Sequence, residues 1–383
     1  MAITNFQFPG VELHQEFVET TPVGTSQLGV AIIGQPNSIT SESDAPTLEL
    51  GVVTSVSDIT TNLGSIAATN PMALACYLAL SASQGVPIYY VAIKDTAADG
   101  SDFTAAIEFL AKYPYIYSIV PLTTNATKIK ACLTQVVNDS EDVESKLRRT
   151  LWCGIATGSG ATAAAKTTAT IALKNAIVGS GATGAYRTQV VWSPGALYDG
   201  AAIPAEVLPA APAGMRAYEP TYRPISNLGY SSFSVADTNG FTRTQLESIG
   251  AAGVWIIDNN FDGTPINKRQ VTADATDNLN KAEESNVANI DSIALTLCRV
   301  GEDLVGCSKI SPALLKALSD TLTSIMDRYL INTTGNVYVG PQLLSWTLDS
   351  LYQDSVALDH IYAVITCEPP KPFNRFVLTV RVV

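Results

Sequence analysis

The feature that most constrains the fold of this chain is an alternation of strand-like and helix-like segments between residues 28 and 192. Short apolar runs are each followed by ten or more residues with helical signals, such as Pro71 in a first turn or Ser101-Asp102 at a cap. Strands separated by helices of this length can pair in parallel through crossover connections. The pattern therefore predicts a central α/β domain, with strands at 28–34, 87–93, 115–122, 151–157 and 187–192.

The alternation stops at residues 194–240, which are dense in Pro, Gly, Ala and Tyr and indicate either a domain junction or a long surface excursion. Two long helices are predicted beyond it, at roughly 286–305 and 312–331, followed by strands at 345–352 and 360–367. In the second helix six apolar residues recur at helical spacing and predict one buried stripe: Leu314, Leu315, Leu318, Leu322, Ile325 and Met326.

These signals divide the chain into four parts and give an α/β class, α+β overall. We predict an N-terminal extended arm over 1–26, an α/β domain over 27–240, a C-terminal domain with long helices over 241–368, and a C-terminal β-arm over 369–383.

The two predicted arms differ in charge, and their composition is typical of segments that extend away from the domains between them. Residues 1–22 contain Glu12, Glu16 and Glu19 but no Lys or Arg, whereas residues 369–383 contain Lys371, Arg375 and Arg381 but no Asp or Glu. Both are rich in strand-forming residues, and neither can bury two faces alone. Opposite charges suit pairing of the two arms in one sheet, and if the pairing is between subunits the product is a polymer. In such a contact we expect apolar burial to outweigh ion pairs of about 0.2–1 kcal/mol each. The predicted intersubunit residues are Phe6, Phe8, Val11, Glu12, Leu13, Glu16, Glu19, Arg375, Phe376, Leu378, Val380 and Arg381.

Composition excludes several classes of function. A net charge of −12 argues against a nucleic-acid binder, and the largest basic cluster, KLRR at 146–149, is predicted to end a helix. The N-terminus lacks signal-peptide features and no apolar run has transmembrane length, so we expect a soluble protein made in a cytosol, without membrane insertion. Six cysteines without a CxxC pair and only two histidines predict buried free thiols and no metal site. Only 15% of residues are charged, which favours a surface covered by partner subunits.

One segment resembles a phosphate-binding loop. GATAAAKT at 160–167 follows a predicted strand, but Ala165 stands where the second glycine of the motif belongs, and its Cβ obstructs the backbone amides. Asp258 at the end of another apolar strand could hold magnesium. The alternative hypothesis is therefore a nucleotide-binding α/β enzyme that uses Lys166, Thr167 and Asp258. The leading prediction is a protein with no catalytic residues, cofactor or metal.

The termini carry a resemblance to a known family. FPGVELHQEF at 8–17 resembles the opening of contractile tail sheath proteins from bacteriophages and related injection machines. YAVITCEPPKPFNRFVLTVRV at 362–382 resembles the closing strand, proline-spaced turn and final strand of that family, although Asn374 stands where many members have an acidic residue. YRPISNLGYSS at 222–232 and LESIGAAGVWIID at 246–258 occur in the expected order.

The resemblance implies a subunit that polymerises around an inner tail tube by exchanging strands with its neighbours and contracts to drive the tube through an envelope. It implies baseplate and tail terminator partners, assembly in the host bacterial cytoplasm, and a place in the virion tail. A baseplate or terminator protein of similar ancestry is a further alternative. Five glycines are candidate hinges or ordinary turn residues: Gly10, Gly24, Gly29, Gly335 and Gly340.

Overall fold

The computed structural model describes residues 28–37, 48–141, 147–276, 278–304, 308–330, 340–356 and 358–372. The strands are β1 (Gly29–Gly34), β2 (Leu50–Val53), β3 (Ile88–Ala92), β4 (Ile116–Pro121), β5 (Thr150–Gly154), β6 (Thr188–Trp192), β7 (Ala196–Tyr198), β8 (Ala201–Ala202), β9 (Ser234–Val235), β10 (Val254–Asn259), β11 (Pro265–Arg269), β12 (Ser345–Gln353) and β13 (Ile361–Glu368). The helices are α1 (Val56–Leu63), α2 (Pro71–Ala82), α3 (Ser101–Leu110), α4 (Ala126–Glu141), α5 (Ala163–Ile177), α6 (Ala210–Tyr218), α7 (Arg243–Ala251), α8 (Leu279–Ala282), α9 (Glu284–Leu304) and α10 (Pro312–Tyr329).

An eight-stranded mixed sheet in the order β11-β10-β6-β5-β4-β1-β3-β2 forms the centre of the molecule. Its six central strands are parallel, and the two outermost strands, β2 and β11, run antiparallel to their neighbours. The outer edge of β11 is covered by the preceding chain, since the amides of Asn227 and Tyr230 donate to the carbonyls of Asn267 and Pro265. The predicted α/β class is confirmed.

Helices cover both faces of this sheet and enclose two apolar cores. On one face α1, α2 and α6 pack against alternate strand residues such as Ile32, Val120 and Trp152. On the other face α3, α4, α5 and α7 pack against the intervening residues, such as Ile33 and Ile119. Continuous apolar strands are typical of parallel sheets buried on both faces.

The large sheet continues beyond the boundary that we predicted after residue 240. The apolar run of β10 pairs in parallel with β6, and Trp255 packs against Trp152 with ring centroids 5.1 Å apart. The α/β unit therefore extends at least to Arg269. Residues 194–240 belong to it as well, because they form the small sheet β8-β7-β9 and helix α6, which packs on α2.

The described residues of the predicted helix-ending KLRR, Leu147, Arg148 and Arg149, lie in no helix. The described part of helix α4 reaches Glu141, and Arg149 lies fully buried immediately before β5. Its guanidinium donates to Asp139 at 2.6 Å and to the carbonyls of Ile107 and Leu110, in the last turn of α3. This cation therefore donates to carbonyls at a helix C-terminus from within the core.

The C-terminal part of the chain contains α9, α10 and an antiparallel hairpin of β12 and β13. Its small core is centred on Ile293, Met326 and Leu343. The predicted stripe on α10 is only partly buried, since Leu322 and Met326 are enclosed whereas Leu314, Leu315, Leu318 and Ile325 remain half exposed. The stripe faces a groove rather than a closed interior.

The described cysteines differ in burial. Cys76, Cys132 and Cys153 are buried, and burial raises the pKa of each thiol, to about 12 for Cys132. Cys298, by contrast, is exposed. Within the described ranges, the His, Cys, Asp and Glu side chains form no group of three positioned to share a metal ion. Among the same residues, no helix combines the length and apolar character needed to cross a membrane.

Candidate functional site: an open hairpin and its groove

The hairpin of β12 and β13 is a two-sided ribbon, and the described residues cover only one of its sides. Trp346, Ile365 and Cys367 contribute to the small core with α9 and α10. Tyr352 and Tyr362 face each other in register on the other side, stacked with centroids 5.7 Å apart and about half exposed. A two-stranded hairpin alone is marginally stable in water, and the packing of one side on α9 and α10 supports this one.

Both outer edges of this hairpin lack a partner strand among the described residues. The two strands pair only with each other, from Ser345 opposite Glu368 to Gln353 opposite Ile361. An unpaired edge presents a row of backbone donors and acceptors to any extended segment that reaches it. The hairpin can therefore accept a strand by main-chain hydrogen bonding.

An apolar groove of about 520 Å³ lies beside β13, between α9 and α10. Ile361, Ala363 and Ile365, alternate residues of β13, form one wall of it. The other walls include Leu297, Leu314, Leu318 and Leu322. A strand that pairs with an edge of the hairpin could insert its own alternate apolar side chains into this groove.

The hairpin is acidic and its charges lie outside the core. Residues 344–370 contain Asp349, Asp354, Asp359 and Glu368 but no Lys or Arg. Asp349 accepts hydrogen bonds from Thr347 and Thr366, at 2.7 and 2.5 Å, and these bonds hold its pKa below the usual range. Its carboxylate thus stays charged on the uncovered face. Counting the charges in the sequence would have revealed this acidity, but our sequence analysis missed it. Our sequence analysis also missed the groove.

The predicted intersubunit residues lie outside the described ranges. This applies to Phe6, Phe8, Val11, Glu12, Leu13, Glu16, Glu19, Arg375, Phe376, Leu378, Val380 and Arg381. The structure does describe the start of the C-terminal arm, where Pro369 is buried and Lys371 donates to the side chain of Asn280 in its own chain. The arm therefore leaves the hairpin beside α8.

The hinge candidates divide in the same way. Gly10, Gly24 and Gly335 lie outside the described ranges. Gly29 is the first residue of β1, and its amide donates to the Tyr115 carbonyl at 2.7 Å, so it is a strand residue here rather than a turn glycine. Gly340 has a φ of +74°, which suits the turn that leads into the hairpin.

The near-match to a phosphate loop is packed against its own helix. Thr162 caps α5 by accepting the amide of Ala165, and the Gly158 amide donates to Thr170 at 2.9 Å. Lys166 donates to the side chain of Asn239 at 2.6 Å. Two of the groups that a phosphate loop would use, the Ala165 amide and the Lys166 amine, are thus engaged within the protein. Asp258 lies 4.0 Å from Lys268, on the antiparallel edge strand.

Solved structures similar to this chain come from contractile machines. A chain in the structure of the anti-feeding prophage helical sheath in its contracted state matches with a TM-score of 0.64 at 12% identity, over 98% of this chain and 99% of that one. A chain in the 6-fold symmetrised baseplate structure of the same prophage matches with a TM-score of 0.66 at 14% identity, over 99% and 100%.

A further match is the sheath tail protein of Desulfitobacterium hafniense, with a TM-score of 0.59 at 11% identity over 97% of this chain and 100% of that one. No family model and no curated protein matches the sequence. The matches extend over nearly the whole length of this chain and of each matched chain, so they include the α/β unit, the long helices and the hairpin together. The resemblance inferred from the two termini is therefore confirmed at the level of architecture: this chain has the fold of contractile tail sheath proteins.

Proposed function

We propose that this protein is a structural subunit of a contractile sheath, which polymerises around an inner tube by strand exchange and contracts to drive the tube through a target envelope. The observation that carries the proposal is the hairpin of β12 and β13, which has no partner strand at either edge among the described residues and lies beside an apolar groove. The sheath fold supports the same conclusion.

The proposed contact is the addition of residues 373–383 from one copy to the hairpin of another. Phe376, Leu378, Val380 and Val382 share one face of an extended segment and match the apolar groove in chemistry. Arg375 and Arg381 match the acidic hairpin in charge. Main-chain hydrogen bonds supply affinity in such a contact, and the alternate side chains supply register.

The N-terminal segment plays a different part in this proposal. With Glu12, Glu16 and Glu19 it is repelled by the acidic hairpin unless a basic strand lies between them. We infer that it joins the assembly next to the C-terminal segment, where Arg375 and Arg381 offer opposite charges.

A head-to-tail contact of this kind does not close on itself and generates stacked rings or a helix. The proposed partners are further copies of the chain, an inner tube protein, and baseplate and terminator proteins, with no direct contact to nucleic acid. The proposed location is the tail of a virion or injection machine assembled in a bacterial cytoplasm. The proposed role requires no catalytic residue and no cofactor.

A second candidate function is a component of the baseplate end of such a machine. It is supported by the matches to chains in baseplate structures of the anti-feeding prophage. Such a subunit would cap or begin a tail rather than extend along it, so long polymers of the purified chain argue against it.

Electron microscopy of the purified full chain tests the proposal, with deletion of 373–383 and deletion of 1–26 as separate variants. We expect tubes or sheath-like polymers from the full chain and folded monomers from each deletion. The double variant R375E/R381E should also fail to polymerise, whereas the matched double reversal R243E/K316E, at exposed residues of α7 and α10, should polymerise normally. Normal tubes from the chain without residues 373–383 would refute the strand-exchange contact.

A further inference from the structure

We propose that buried polar pairs on the first half of α9 join the hairpin unit to the α/β unit, so that the two units behave as one mechanical body. We call these pairs the polar clasp; they are Asp291 with Arg187 and Tyr117, and Glu284 with Arg216. The hairpin unit is defined here as residues 293–368 and the α/β unit as residues 28–282. The proposal concerns the single chain and does not depend on the proposed function.

Helix α9 connects the two units. Its first half is enclosed, since from Glu284 to Asp291 only Ile290 is exposed. Its second half, from Ile293 onward, is partly exposed and supports the core beneath the hairpin. One continuous helix thus extends from the large sheet to the groove.

The apolar cores do not continue across this junction. The two cores of the large sheet contain no residue beyond Ala273, and the core of the hairpin unit begins at Ile293. Within the described residues, no apolar core includes side chains from both units. The junction between them instead combines a few buried apolar residues of α9, Val287 and Ala288, with polar pairs.

Charged pairs form the polar part of the junction. Asp291 accepts both terminal nitrogens of Arg187, at 2.6 and 3.0 Å, and the hydroxyl of Tyr117 at 3.0 Å. Glu284 accepts two bonds from Arg216, at 3.1 and 2.6 Å, with both side chains at most 1% exposed.

Each of these bonds reaches a different element of the α/β unit. Tyr117 lies in β4, Arg187 immediately precedes β6, and Arg216 lies in α6. At the start of α9, the Glu283 carboxylate accepts from Arg269 in β11 at 2.8 Å. The start of α9 and the residue before it thus form hydrogen bonds with four separate segments of the α/β unit.

The polar character of the clasp determines what it can do. An apolar contact tolerates sliding, whereas a guanidinium and a carboxylate form their paired hydrogen bonds only over a narrow range of relative orientations. Separating them inside the protein leaves a buried charge without its partner, so partial opening is strongly disfavoured. The clasp therefore fixes the angle between the hairpin and the sheet, and a pull on the hairpin is carried along α9 to β4, β6, α6 and β11.

Pulse-labelled hydrogen exchange of the full chain in increasing urea tests this inference. Urea disperses the chain into monomers, checked by light scattering, so the result does not depend on polymer formation. Peptides from β6, α10 and the hairpin are followed in the wild type, in D291N and in D320N. The last is a matched control, because Asp320 pairs with Lys316 on the exposed surface of α10.

We expect all three wild-type peptides to lose protection at the same urea concentration. In D291N the α10 and hairpin peptides should lose protection at a lower urea concentration than β6, and D320N should behave like the wild type. Separate wild-type transitions would overturn the inference, as would a D291N variant whose three transitions remain together. If D291N leaves β6 unprotected even without urea, Y117F, which removes one hydrogen bond to Asp291, takes its place. The α10 and hairpin peptides of Y117F should lose protection at a lower urea concentration than β6, and transitions that remain together would overturn the inference.

Discussion

Gly214 of α6 lies directly against the backbone of Ala79 in α2. A Cβ at residue 214 would lie 2.2 Å from the Ala79 carbonyl oxygen and 2.7 Å from its Cα. Backbone atoms cannot move aside as a flexible side chain can, so this residue sets how closely the two helices pack on one face of the large sheet.

The first prediction follows from this contact. G214A should lower the free energy of unfolding by about 1–3 kcal/mol, because the added methyl group forces α6 away from α2. G250A in α7 is the matched control, since its Cβ would meet nothing closer than 3.6 Å. Alanine in a helix is favoured over glycine by about 1 kcal/mol, so G250A should be neutral or stabilising. Urea unfolding followed by circular dichroism measures both, and equal losses of stability would contradict the packing argument.

The sequence predicted the large sheet well because parallel strands buried on both faces leave a strong local signal. The runs at Gly29–Gly34, Ile116–Pro121 and Thr150–Gly154 are buried throughout, and Pro71 begins α2 as its position predicts. These elements owe their conformation to apolar runs and caps, which are visible residue by residue.

The remaining features depend on contacts between distant residues. Nothing local to β10 says that it joins β6 rather than the C-terminal helices, so the boundary after residue 240 was placed too early. The pairs of Arg187 with Asp291 and Arg216 with Glu284 join residues 104 and 68 apart in sequence. The open groove was also hidden, because a half-covered stripe on α10 has the same periodicity as a buried one.

A second prediction concerns the groove. L318Q should leave the chain folded but prevent polymer formation, because a polar amide would face the apolar side chains of an incoming strand. A317Q, one residue earlier on the exposed face of α10, is the matched control and should polymerise normally. Light scattering and electron microscopy at equal concentration compare the two. Normal polymers from L318Q would show that the groove is not part of the contact.

The buried amine of Lys174 gives a third prediction, on pH. Burial lowers the pKa of this lysine to about 8, against a partial opposing effect of Asp274. Between pH 8 and about 10.5 the unfolded chain therefore binds more protons than the folded chain at this residue, and stability contributed by Lys174 rises with pH.

The test compares the wild type with K174M in urea at pH 7 and pH 9.5. The free energy of unfolding of the wild type, relative to K174M, should be higher at pH 9.5 than at pH 7. K316M, at an exposed residue of α10, should show no such change relative to the wild type over the same range. If the free energy of unfolding of the wild type relative to K174M instead falls as the pH rises, folding raises the pKa of Lys174 rather than lowering it, and the prediction is wrong.

A fourth prediction separates the structural subunit from the nucleotide-binding alternative. We expect no binding of Mg-ATP or Mg-GTP by the wild type in isothermal titration, because Lys166 and the start of α5 are engaged by Asn239 and Thr162. K166A should instead cost about 1 kcal/mol of stability through loss of the bond to Asn239. Saturable nucleotide binding that K166A abolishes would restore the enzyme hypothesis.

The central claim is that copies of this chain complete the β12–β13 hairpin of their neighbours. Electron cryomicroscopy of the assembled polymer, at a resolution that traces the backbone, measures this most directly. We expect the hairpin to become a sheet of three or more strands, with residues 373–383 of another copy along one edge and the apolar side chains of those residues in the groove. A polymer in which the hairpin keeps two strands, or in which those residues pair with the hairpin of their own chain, would contradict it.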